Sequence, residues 1–172
     1  MAKAKVKMKY NIIKDVSELN STNVLFENAL KVNDKEYVVV LSAMELAKLY
    51  EDETIKYDIN TQRGIKSKVN KVGEVTEEPI RSDKNIKDMI ELIKTGTLCT
   101  SHITFNVPDD GKQHVNFDNG KLVINKEMTI IDGFHRISSC YTVMNYFKIL
   151  KDDDLKHMLE NTKFTAVSYT HL

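Results

Sequence analysis

Three side chains that can handle phosphate groups and protons lie within five residues of one another, around a single glycine. They are Asp132, His135 and Arg136, in the stretch Thr-Ile-Ile-Asp-Gly-Phe-His-Arg-Ile at 129–137. The planar guanidinium of arginine matches the geometry of phosphate. A histidine can add a hydrogen bond, and an aspartate can hold magnesium or accept a proton. Asp132 is therefore the candidate catalytic residue, and Arg136 the candidate phosphate ligand.

The residues around this cluster predict the elements that position it. Residues 129–131 are β-branched, as suits a buried strand, and Gly133 allows a sharp turn after them. Apolar residues then recur at helical spacing from Ile137 to Met144. We therefore expect the cluster where a strand ends and a helix begins. A helix N-terminus binds anions through its free N–H groups and its dipole.

A purely structural role is the alternative for the same three residues. Asp132 can cap the helix, Arg136 can pair with a carboxylate, and His135 can be a half-buried packing residue. A strand, a glycine and a helix do not by themselves distinguish this role from a binding site.

The pentapeptide Asp132–Arg136 resembles the Asp-Gly-Gln-His-Arg signature of the DGQHR-domain family, which includes DndB-type proteins associated with DNA sulfur modification. An upstream Gln-Arg pair of that family is matched by Gln62 and Arg63. The family is similar, more distantly, to the ParB/sulfiredoxin-like fold. The resemblance covers about residues 20–150. Phe134 replaces the family's glutamine, which leaves open whether the site is disabled or only reshaped.

The resemblance implies one α+β domain over residues 1–172, with a small mixed sheet and about four helices. It implies a DNA-associated regulatory or accessory protein of a phosphorothioation-type modification or phage-defence system. Nucleotide or DNA phosphate would be bound by Gln62, Arg63, Asp132, Gly133, His135 and Arg136. The cofactor is left open, with a nucleoside triphosphate and magnesium as the candidate. The alternative is a magnesium-dependent nucleotide hydrolase, phosphotransferase or nuclease that uses the same pocket.

Two expectations concern the end of the chain. Proteins of the DGQHR type are usually longer, so the resemblance implies an N-terminal piece of a longer protein. The last six residues also resemble a peptide produced where translation continues into a sequencing adapter, which would make them foreign to the natural protein.

The charge balance limits how the chain could bind nucleic acid. Its 25 basic and 25 acidic residues cancel, so positive charge would have to be concentrated locally. Two stretches qualify. Lysines alternate with apolar residues over 2–10, which predicts an edge strand, a basic ribbon that faces nucleic acid, or a disordered arm. Residues 56–71 are basic and polar, which indicates a solvated face or a phosphate-facing surface.

The remaining patterns predict ordinary elements. In chain order we expect a hairpin of 23–31 with 36–41, a helix capped by Ser42 and Glu45, a connector at 74–83, a helix that starts at Ser82 or Asp83 and ends before Gly96, a strand at 98–107, a hairpin around Asn119-Gly120, a helix that starts at Asp152–Asp154, and a strand at 164–169.

The cysteines and the apolar runs limit the cellular location and the kinds of site that the sequence can indicate. Cys99 and Cys140 do not form a disulfide framework, so a reducing, cytoplasmic location is expected. Cys99 and His102 lack the second ligand pair of a zinc site. Cys140 lies on the apolar face of the predicted helix, where a small core residue is expected. The sequence contains no apolar run long enough to span a membrane, so no membrane partner is expected.

Overall fold

Strands and helices alternate irregularly along the chain. The computed structural model describes residues 10–62, 64–80, 82–98 and 102–170. Within those ranges the elements are β1 (Ile12–Ile13), a 3-10 turn (Val16–Glu18), β2 (Ser21–Phe26), β3 (Leu30–Asn33), β4 (Glu36–Ser42), α1 (Ala43–Glu51), β5 (Ile55–Asp58), β6 (Ile65–Val69), β7 (Val75–Pro79), α2 (Asp83–Lys94), β8 (Ile103–Val107), β9 (Val115–Asp118), β10 (Lys121–Lys126), β11 (Met128–Asp132), α3 (Phe134–Leu150), α4 (Asp153–Asn161) and β12 (Lys163–Thr170).

The main sheet is mixed and, in the described part of the chain, has seven strands in the order β1-β5-β11-β8-β12-β4-β3. β1, β5 and β11 run parallel to one another, and β8 runs parallel to β12. The pairs β11/β8, β12/β4 and β4/β3 are antiparallel. Two smaller sheets, β2-β10-β9 and β6-β7, lie beside it. The predicted α+β class is confirmed, although the main sheet is larger than expected.

Helix α3 lies at the centre of the helical layer and contacts α1, α2 and α4. Its residues 137–144 are all buried, so the single apolar stripe expected from the sequence becomes a helix that is enclosed on every side. Cys140 is a core residue, as predicted, and burial raises the pKa of its thiol to about 12. Of the helices in the described ranges, none is both long and apolar enough to cross a bilayer.

Local sequence signals of caps and turns are confirmed. Ser42 and Glu45 form the capping box of α1. Asn119 and Gly120, with φ of 47° and 78°, form the tight turn between β9 and β10. Asp152 caps α4 through the amides of Asp154 and Leu155. Each of these signals depends on a few neighbouring residues, which is why the sequence shows it.

Three predicted segments differ from the structure, and a fourth lies almost entirely outside the described residues. The expected strand over 23–31 is broken, because Asn28 adopts a left-handed conformation (φ 58°) and separates β2 from β3, which join different sheets. The predicted connector at 74–83 contains β7. The strand predicted over 98–107 begins at Ile103 among the described residues. The alternating stretch of 2–10 lies almost entirely outside them.

Two lysines of the basic stretch 56–71 have acidic partners. β6 and β7 form an antiparallel ribbon, in which Lys68 pairs with Glu78 at 2.6 Å. Lys56 is buried in β5 and pairs with Glu127 at 3.0 Å, so it is not part of a phosphate-facing surface. The acidic segment that follows in sequence folds back onto the basic one, which favours the solvated-face alternative.

Candidate functional site

A pocket of about 230 Å³ lies where β11 ends and α3 begins. Its described lining is Tyr57, Gln62, Ile80, Met89, Asp132, Gly133, Phe134, His135 and Arg136. The pocket thus joins five of the six residues predicted from the sequence, from two motifs about seventy positions apart. The sixth, Arg63, lies outside the described residues. Ile80 and Met89 were missed because residues 74–83 resemble a connector and the apolar stripe of α2 indicates core.

Gly133 makes the turn from strand to helix in a single residue. It is the N-cap of α3, with φ 98° and ψ 11°, and no side-chain hydrogen bond to the cap is found among the described residues. The capping role considered for Asp132 is therefore wrong. The Ile137 N–H donates the first helical bond to the Gly133 carbonyl. The amides of residues 134–136 are thus the ones left for the pocket that these residues line.

Gly133→Ala should lower the free energy of unfolding by about 2–3 kcal/mol, because the residue is left-handed and the new Cβ meets a buried neighbour. That Cβ would lie 3.0 Å from Ile103 Cγ1. Gly111→Ala is the matched control, since Gly111 also has positive φ but a Cβ there meets nothing within 4 Å. Urea unfolding measures both variants. Equal losses would show that the contact with Ile103 is unimportant.

Arg136 is held at the mouth of the pocket by two contacts. Its Nη1 donates to the His102 carbonyl at 2.6 Å and to Asp132 Oδ2 at 3.3 Å. The exposed fractions of the two side chains are 24% for Arg136 and 68% for Asp132, so their ion pair contributes at most about 1 kcal/mol. Within the described residues, Nη2 and Nε have no hydrogen-bond partner. The guanidinium is oriented by the protein and keeps donors for a ligand.

Gln62 forms two hydrogen bonds with the end of β11. Its Nε2 donates to the carbonyls of Ile130 at 2.8 Å and Ile131 at 2.6 Å. The amide orientation follows from chemistry, because carbonyl oxygens only accept hydrogen bonds. Gln62 therefore presents Oε1, an acceptor, to the remainder of its surroundings. The hydroxyl of Tyr57 donates to the Gly64 carbonyl at 2.9 Å and holds the next segment in place.

His135 joins the N-termini of two helices. Its Nε2 accepts the backbone N–H of Ser82, the N-cap of α2, at 3.1 Å. A neutral imidazole that accepts at Nε2 carries its proton on Nδ1. Any hydrogen bond that His135 donates to a ligand must therefore come from Nδ1. The packing role considered for His135 and the binding role are compatible in this geometry.

Phe134 lines the pocket and is only 3% exposed. Its ring lies edge-on to Tyr57, with centroids 4.6 Å apart, and contacts Tyr50 at 6.2 Å. The ring points into the aromatic core, and an open pocket remains above it. The phenylalanine ring therefore packs against core aromatic residues and leaves the pocket open.

The described lining of the pocket offers one carboxylate to a magnesium ion. Asp132 is the pocket's only acidic residue within the described lining. No cluster of three or more His, Cys, Asp or Glu that could hold a metal occurs in the described residues. A cation at this site would depend on ligand oxygens as well as on Asp132.

The fold and site define an α+β protein with a pocket at a strand–glycine–helix junction. The chain is similar to the SPbeta prophage-derived uncharacterized protein YopQ of Bacillus subtilis (strain 168), with 25% identity over 154 residues. The similarity covers 84% of this chain and 32% of that protein, so the chain spans about a third of its relative's length. No family model matches the chain, and no solved structure matches it.

Proposed function

We propose that this chain binds a phosphate group of a nucleotide or of DNA in the pocket between β11 and α3. The observation that carries the proposal is the convergence of Gln62 with Asp132–Arg136 on one pocket. Arg136 supplies the guanidinium, and the first amides of α3 supply further donors at the positive end of the helix dipole. This combination favours an anion.

The setting we propose is a DNA-modification system of the phosphorothioation type or a phage-defence system, in which the chain is a cytoplasmic, DNA-associated regulatory or accessory protein of the DGQHR type. The resemblance of the two motifs supports it, and so does similarity to a protein described as prophage-derived. The finer assignment to a ParB/sulfiredoxin-like fold belongs to the same proposal.

Arg136→Ala should weaken phosphate binding by about tenfold to a hundredfold, because it removes a charge-assisted hydrogen bond. The test is a calorimetric titration of AMP, ATP and a short DNA duplex, each with and without magnesium. Arg136→Lys should retain part of the affinity. Lys121→Ala, an exposed cation on β10, is the control for net charge. Thermal unfolding verifies that each variant is folded. Unchanged affinity in a folded Arg136→Ala protein would refute the proposal.

The enzymatic alternative is separated from simple binding by turnover. A single carboxylate is a poor set of ligands for a metal-dependent hydrolase, which favours a binding protein. Release of inorganic phosphate from ATP, or cleavage of the duplex, with magnesium would establish the enzyme instead. If only the duplex binds, its affinity should fall steeply with salt concentration.

A further inference from the structure

We infer that the pocket selects a phosphate monoester that carries free hydroxyl groups, such as a ribonucleotide or another sugar phosphate, over the backbone of DNA. The inference rests on the proposed phosphate binding and narrows its ligand class. It follows from the hydrogen-bond acceptors that the pocket offers beside its anion-binding donors.

Gln62 supplies the first acceptor. Both of its Nε2 contacts are to main-chain carbonyls, at 2.8 Å and 2.6 Å, so its amide hydrogens are committed to β11. Oε1 accepts no hydrogen bond from the described residues. A ligand that meets Gln62 must therefore donate to it.

Asp132 supplies the second acceptor. One carboxylate oxygen, Oδ2, lies 3.3 Å from Arg136 Nη1, and the side chain is 68% exposed at the pocket mouth. An ionised carboxylate only accepts hydrogen bonds. The pocket thus offers donors, from Arg136 and the amides of α3, and acceptors, from Gln62 and Asp132. A hydroxyl-bearing phosphate ester complements both kinds of group.

The DNA backbone complements only the donors of the pocket. Its phosphodiester and deoxyribose groups carry no free hydroxyl, so Gln62 Oε1 and Asp132 would face acceptors or negative charge. A duplex would also need basic surface beyond the pocket. The lysines nearest in sequence are poorly suited to supply it, since Lys68 pairs with Glu78 and Lys56 is buried against Glu127.

The size of the pocket agrees with a small ligand group. Its volume of about 230 Å³ lies below the roughly 300–1,000 Å³ of sites for drug-sized ligands. A sugar with one phosphate suits this space better than a complete nucleoside triphosphate. A nucleobase would extend towards solvent, so the sugar hydroxyls, and not the base, should determine affinity.

The test compares AMP with 2′,3′-dideoxy-AMP, which differs only in the two hydroxyls, and adds ribose 5-phosphate and a short duplex. AMP should bind about threefold to tenfold more tightly than the dideoxy compound. Ribose 5-phosphate should bind about as well as AMP. Asp132→Asn, which keeps the size of the side chain, should bring the ratio of the two affinities towards one. Asp118→Asn, an exposed acid on β9, should leave it unchanged.

The outcomes separate this inference from the proposed function. Equal affinities for AMP and its dideoxy form, both abolished by Arg136→Ala, would overturn the hydroxyl selectivity and leave phosphate binding intact. Tighter binding of the duplex than of AMP would overturn it as well, as would an undiminished preference in Asp132→Asn. No binding of any probe to the folded protein would overturn both proposals.

Discussion

Phe134→Gln, which introduces the residue that the DGQHR signature carries, should lower the free energy of unfolding by about 4 kcal/mol. The change removes a 3% exposed ring and its edge-on contacts with Tyr57 and Tyr50. It also places a polar amide among the rings of Tyr57 and Tyr50. Three effects all lower the stability: the loss of apolar burial, the loss of ring contacts and the burial of a polar amide. Urea unfolding measures the loss.

A matched substitution separates this site from aromatic loss in general. Phe117 is half-buried in the sheet β2-β10-β9 and contacts one ring, that of Tyr37, at 5.7 Å. Phe117→Gln should cost about 1–2 kcal/mol. If Phe134→Gln costs no more than this control, then the surroundings of residue 134 already accommodate an amide. In that case the residues around position 134 would tolerate the glutamine of the signature as well as the phenylalanine of this chain.

The local parts of the fold were predictable because short patterns determine them. The Asn119-Gly120 turn and the Ser42–Glu45 capping box each lie within four residues and recur in the structure. Strand β7 was missed because Glu77 and Glu78 have low strand propensity. They are in a strand because β6 pairs with it, and pairing between segments is not visible in either segment alone.

The candidate site was also only partly predictable, because its residues come from distant parts of the sequence. Similarity of two motifs suggested that Gln62 would meet Asp132–Arg136, and both line one pocket. No pattern indicated that Gln62 would donate to the end of β11, or that the Ser82 amide would donate to His135. These contacts determine which atoms remain for a ligand. A motif can therefore predict which residues meet, while the hydrogen bonds that decide ligand chemistry require the structure.

Glu127→Leu should lower the free energy of unfolding by about 3–5 kcal/mol, because it leaves a buried ammonium group without its partner. The Glu127 carboxylate accepts from Lys56 Nζ at 3.0 Å and from the Asn20 N–H at 2.8 Å. The side chains of Lys56 and Glu127 are only 10% and 11% exposed. Lys56 is opposite Thr129 in the pairing of β5 with β11, so the loss should also loosen the strand that leads to the pocket.

A double variant identifies the cause of the stability loss in Glu127→Leu. Lys56→Met combined with Glu127→Leu replaces both charges by apolar groups and should recover most of the stability, because no unpaired charge remains in the core. Glu51→Leu, in the partly exposed pair with Lys148, should cost less than about 1 kcal/mol. If the double variant is no more stable than Glu127→Leu alone, the hydrogen bond to Asn20 is the dominant contribution. Recovery in the double variant would show that the loss in Glu127→Leu comes from the unpaired charge of Lys56 in the core.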